Sequence, residues 1–146
     1  MKRHLILVAI IILAGTFTAG AQAQTAGTQK VVAHIPFAFN VGKTTLPAGK
    51  YTITVLNPTS DRKVLQIRST KGRLSAMIFT TALIGNVSDD AKLVFQRYGD
   101  RYFFAQAQMA GESTSLAAVK SSAERTHEKQ AVAAARKQSV VVIIAE

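Results

Sequence analysis

From Val31 onward, large apolar side chains recur at every second position. Val31, Ala33, Ile35, Phe37 and Phe39 share one parity, while Val32, His34, Ala38 and Asn40 take the other. This is the period of a half-buried strand. Pro36 offers no backbone donor, so the strand over 31–39 is expected at a sheet edge or bulged at that point. Tyr51, Ile53 and Val55 alternate with Thr52 and Thr54, which predicts a second strand. Leu65 and Ile67, alternating with Gln66 and Arg68, predict a third over 64–69, and the apolar stretch Leu74–Ala82 reads as a strand lying mid-sheet. Between these runs lie turn-forming segments: Asn40–Thr45 around Gly42, "LPAG" at 46–49, "NPTSDRK" at 57–63, Lys71-Gly72 and "GNVSDD" at 85–90.

The stretch "LVFQRYGDRYFFAQAQ", residues 93–108, places Gly99-Asp100 between two aromatic-rich runs. Glycine in the first turn position suits a type II′ hairpin. The register that follows sets Tyr98 opposite Arg101, Arg97 opposite Tyr102 and Phe95 opposite Phe104. After Gly111 the pattern changes. Ser121 with Glu124 three residues on forms a capping box, and the alanine-rich and charged segment that follows predicts a helix over about 122–138. Its apolar face is thin, since Val132 is its one large aliphatic residue. "VVVIIA", 140–145, would aggregate if left free, so it is expected to pair as a final strand. The elements together predict an all-β domain over residues 31–146. We expect a sandwich or partly closed barrel of about seven or eight short strands with one C-terminal α-helix.

The first residues change the picture of where this domain works. Lys2, Arg3 and His4 precede an apolar run from Leu5 to Ala14, and Ala21-Gln22-Ala23 fits a small-x-small cleavage site. The segment 1–23 therefore reads as an export signal peptide cut after Ala23. Its apolar run falls well short of the roughly 20 residues a membrane span needs. Residues 24–30 read as a loose tail. The chain holds no cysteine, so its fold rests on its core alone, which suits a periplasmic or extracellular protein. Removing Lys2 and Arg3 from the 18 basic residues leaves 16 against 8 acidic ones, a net of +8. That field favours anionic partners such as envelope polysaccharide or lipid head groups.

Catalytic and cofactor signatures are sparse. "VGKTT" at 41–45 resembles the end of a phosphate-binding loop, but the pattern requires glycine at position 37, where Phe37 blocks the approach of backbone to phosphate. His34 and His127 are the two histidines after the leader, and no nucleophile-elbow pattern accompanies them. His127, close to Glu124 and Glu128, reads as a helix-surface residue, and His34 as a solvent-facing strand residue. Asp89-Asp90 alone is short of the ligands a calcium site requires. No cofactor or metal is expected. A small hydrolase would have to bring Asp61, Asp100 or Glu112 together in space. The basic residues Arg62, Lys63, Arg68, Lys71, Arg73, Arg97 and Arg101 are candidates for polyanion binding, with Tyr98 and Tyr102 as aromatic contacts beside them. Nucleic acid is not an expected partner of an exported protein. A third possibility is self-assembly by strand addition at 31–39 or 140–144.

"IPFAFNVGKTTLPAGKYTI", "LVFQRYGDRYFFAQAQ" and "SSAERTHE" together resemble a family of small secreted proteins, abundant in acidobacteria and of unknown function. Its members share I-P-F-x-F-x-V-G, L-P-A-G-x-Y, R-Y-G-D-x-Y-F and a Ser-x-x-Glu-Arg helix start. The resemblance spans most of the chain after the leader and implies a secreted β-rich domain. It supplies no catalytic residues to transfer. The expectation is a non-catalytic envelope or extracellular module, structural or polymer-binding.

Overall fold

The computed structural model describes residues 29–146; the expected leader and most of the expected tail lie outside them. Ten strands and one helix follow in chain order: β1 Lys30–Ile35, β2 Phe39–Val41, β3 Thr44–Leu46, β4 Gly49–Val55, β5 Val64–Ser69, β6 Ser75–Ile84, β7 Ala91–Tyr98, β8 Arg101–Gln108, β9 Thr114–Ala118, α1 Ser122–Ala133 and β10 Gln138–Ala145. The all-β expectation with one C-terminal helix holds. Three strands exceed the predicted set. The run expected as one strand over 31–39 breaks after Ile35, where Pro36 cannot donate, and β2 pairs with β3 instead. β9 is the third.

The strands join into one sheet folded into two halves. β1, β4, β5 and the first part of β6 make one half, antiparallel throughout. β6 is long enough to continue into the other half, where Thr80–Ile84 pairs with β9, followed by β8, β7 and β10. The β2–β3 hairpin attaches to β8 in parallel. At the far side Val32 and Glu146 exchange backbone hydrogen bonds at 3.1 and 2.9 Å, so the strand circuit returns to β1 as a partly closed barrel.

Alternation then decides what lies inside. Ile35, Tyr51, Ile53, Val55, Leu65, Ile67, Leu93, Phe95 and Phe104 are all buried in one core with Phe39, Val41 and Leu46. Phe95 sits at its centre, edge-on to Phe37, Phe39 and Phe104 with ring centroids 5.2, 5.3 and 5.8 Å away, the geometry aromatic quadrupoles favour. Tyr51 keeps its hydroxyl satisfied by donating to the Pro47 carbonyl at 2.6 Å, which ties the "LPAG" turn to the strand after it. The β7–β8 hairpin forms in the expected register, with Gly99 at φ 62°. A bulge between Val94 and Phe95 shifts the parity of β8, so Ala107 rather than Gln106 points inward after Phe104.

α1 lies on the outer face of β7 and β8, over Tyr98 and Phe103, and Ala131 completes that small cluster. Its start is as expected: the Ser121 hydroxyl accepts from the Glu124 amide at 3.1 Å. Its end is not. The helix stops at Ala133 instead of about 138, because Ala135 takes φ 49° and closes a Schellman turn, with Arg136 N–H donating to Ala131 at 2.8 Å. The chain must reverse there for Gln138 to pair opposite Tyr98.

Candidate anion-binding face

The same alternation that fills the core sends polar side chains to the outer surface of the first half-sheet. Pairing sets Lys30 beside Thr54 and Thr54 beside Gln66, and in the next row Val32 beside Thr52 and Thr52 beside Arg68. His34 stands opposite Lys50. Lys30, Thr52, Thr54, Gln66, Arg68 and Thr70 line a shallow groove of about 420 Å³. At the end of β5, Lys50, Lys71 and Arg73 border a second groove of about 300 Å³ against Pro47 and Leu74. The Thr70 amide and hydroxyl both donate to the Lys50 carbonyl, at 3.0 and 3.2 Å, so the turn carrying Lys71 is fastened to the strand carrying Lys50.

The result is one polar surface presenting Lys30, Lys50, Arg68, Lys71 and Arg73, interleaved with threonine hydroxyls. Among the described residues that line it and the adjoining groove at the β1–β10 seam, Glu146 is the one carboxylate, 3.9 Å from Lys50 and largely exposed. An exposed pair at that distance is worth little. A surface with five cations, many hydroxyls and one marginal carboxylate can hold a flexible polyanion through charge and hydrogen bonds together.

The seven basic residues singled out from sequence divide among three places. Arg68, Lys71 and Arg73 belong to the face just described. Arg62 and Lys63 stand at the opposite end of β5, in the turn after β4, where the Lys63 carbonyl accepts from the Thr80 amide and hydroxyl at 3.0 and 2.9 Å. Arg97 and Arg101 lie on the β7–β8 hairpin of the other half-sheet. Neither tyrosine offers a free ring. Tyr98 is 6% exposed beneath α1, and Tyr102 is stacked on Phe37 at 4.0 Å with the Arg97 guanidinium 5.4 Å from its centroid. The aromatic contacts expected beside the basic residues are therefore spent on packing. Lys30, Lys50 and His34 were not among the candidates; the alternation showed which way His34 points, but not that β4 lies between β1 and β5.

Asp61, Asp100 and Glu112 stand on three different turns, after β4, β7 and β8, all exposed. Perturbed ionisable groups gather elsewhere, under the helix. Glu124 is 4% exposed. Its burial holds the carboxyl above the usual range, reinforced by Glu128 and opposed by Lys120, the Ser121 amide and Arg125. Burial also raises Tyr98, and Lys120 is raised chiefly by its 2.7 Å bond to Glu128. The Lys120–Glu128 bond ties the helix to the segment that leads into it from β9. No family model matches the chain, and no curated protein or solved structure is significantly similar to it.

Proposed function

We propose that this is an exported, non-catalytic module of the cell envelope or extracellular space that holds an anionic polymer, envelope polysaccharide or lipid head groups, on the outer face of its first half-sheet. The observation that carries this reading is the gathering of Lys30, Lys50, Arg68, Lys71 and Arg73 on one hydroxyl-lined surface with a single weakly engaged carboxylate. Export rests on the basic, apolar and small-residue pattern of the first 23 residues and on the resemblance to small secreted proteins. The placement of Asp61, Asp100 and Glu112 on separate turns favours a binding module over a hydrolase.

Cosedimentation with isolated bacterial envelope at low and high salt tests it. Charge-driven binding to a polyanion falls steeply as salt rises, whereas apolar and strand-pairing contacts survive. Binding that disappears in salt and in the Lys50→Glu, Arg68→Glu double variant is the expected result. Binding unchanged by the double variant would defeat the reading. One observation favours assembly as a second reading: Val140, Val142 and Ile144 form an exposed apolar row along the outside of β10. Sedimentation velocity showing only monomer across a wide concentration range would remove it.

A further inference from the structure

On the second half-sheet, away from the residues of the proposed polymer face, three cations meet at the tip of the β7–β8 hairpin. Arg97, Gly99, Asp100, Arg136, Lys137 and Ser139 enclose a cleft of about 350 Å³. They come from two segments distant in sequence, and each is held there by a separate device.

Arg97 is fixed first. Its Nε donates to the Gly99 carbonyl at 2.7 Å and its guanidinium lies against the Tyr102 ring. Strand pairing puts Ser139 directly across from it. Arg136 and Lys137 arrive because the chain accepts a left-handed conformation at Ala135, a residue with a Cβ, to end the helix where it does. The Gly99 amide then reaches the Lys137 carbonyl at 3.5 Å, joining the two segments. Arg136 packs beside Gly99, its Cδ 3.8 Å from where a Cβ would stand, an ordinary van der Waals distance.

The charges do not balance. Asp100 is the one carboxylate lining the cleft, fully exposed and 4.0 Å from Arg97, too loose a contact to neutralise three cations. Among the described residues neither Arg136 nor Lys137 has an ion-pair partner. Cations brought together without counter-charge repel one another, and a bound anion relieves that repulsion. Held guanidinium groups suit tetrahedral oxyanions, which accept several charge-assisted hydrogen bonds at once.

We infer that this cleft is a second, discrete anion site, built for a single phosphate or sulfate group, free or carried on a small host molecule. Arg97 supplies the preset guanidinium, Arg136 and Lys137 close over the anion, and the Ser139 hydroxyl donates to it. The site shares no residue with the polymer face, so each stands or falls separately.

The test is an NMR titration of the purified protein with inorganic phosphate and, separately, inorganic sulfate at low ionic strength. Saturable shifts of the Gly99 and Ser139 amides are expected. They should weaken by about tenfold or more in the Arg136→Gln, Lys137→Gln double variant and persist in a Lys30→Gln, Arg68→Gln control. Both altered pairs are solvent-exposed, so an unchanged dispersion of the remaining signals verifies the fold. The ion that binds more tightly identifies the source as phosphorylated or sulfated. Absence of saturable shifts with either ion, or equal binding by the double variant, overturns the inference.

Discussion

Two residues hold conformations or charges that cost the fold something, and both can be relieved by one substitution. Ala135 occupies the left-handed position of the Schellman turn, where glycine is the usual occupant because it carries no Cβ. Ala135→Gly should therefore stabilise the protein by about 0.5–1 kcal/mol, the lost strain outweighing the extra freedom glycine gives the unfolded chain. A higher urea midpoint with unchanged slope would show it. Glu124 is the second case. Its carboxyl is raised above 4.5 by burial, so the folded state binds its proton more tightly than the unfolded state does. That contribution to stability is fully present below about pH 4.5 and is lost as pH rises through the raised value. At neutral pH the buried charge is a net cost. Glu124→Gln keeps a side-chain oxygen for the Ser121 amide while removing the charge, so it should melt higher than the parent at pH 7. The two melting temperatures should converge below about pH 4.5, as thermal scans across pH can check.

At the scale of elements, β10 shows how strictly pairing sorts side chains. Its register sets Val141 opposite Phe95 and Ile143 opposite Leu93, facing the core, while Val140, Val142 and Ile144 face out. Val141 is half-buried against the core, so a charge there would lie unpaired beside Phe95. Val141→Asp is expected to cost about 1–3 kcal/mol in chemical denaturation. Val142→Thr, one residue on, should stay within about 0.5 kcal/mol in chemical denaturation. The alternation that makes this contrast was legible from the start in β1, β4 and β5, and the Gly99-Asp100 turn set the hairpin register from Tyr98 opposite Arg101 to Phe95 opposite Phe104, beyond which the bulge shifts it. What escaped has physical causes. The helix ends early because Ala134–Lys137 has helical composition, yet the pairing of Gln138 opposite Tyr98 overrides local propensity. β9 escaped because "TSLAA" carries one large apolar residue. β2 and β3 are three residues each, and Asn40 helps anchor them by donating to the Tyr102 carbonyl at 3.1 Å, a contact with a residue 62 positions away. The candidate face was partly legible, since Arg68, Lys71 and Arg73 share one strand and its turn. Lys30 and Lys50 join them only through the strand order, which period-two patterning does not encode.

For the whole molecule, the balance of charge predicts how salt acts on stability. The described residues carry 16 Lys and Arg against 8 Asp and Glu, a net of +8. Three ion pairs form among them: Lys50–Glu146 at 3.9 Å, Arg97–Asp100 at 4.0 Å and Lys120–Glu128 at 2.7 Å. All three are substantially exposed, and each is worth on the order of 0–1 kcal/mol. Screening them therefore costs little. The repulsion among excess cations acts over the whole surface, is strongest where Lys30, Lys50, Arg68, Lys71 and Arg73 gather and where Arg97, Arg136 and Lys137 meet, and is weakened by the same salt. The second effect outweighs the first, so the melting temperature should rise as sodium chloride is raised from about 20 to 200 mM, where the Debye length shrinks from roughly 20 to 7 Å. A multivalent anion such as sulfate should raise it further at equal ionic strength, because it adds occupancy of the hairpin cleft to general screening. Calorimetry in the two salts separates the contributions: the general rise should survive Arg136→Gln with Lys137→Gln, and the sulfate excess should not. A melting temperature that falls with sodium chloride would mean that the three exposed pairs, and not the unbalanced cations, govern the electrostatics of this fold.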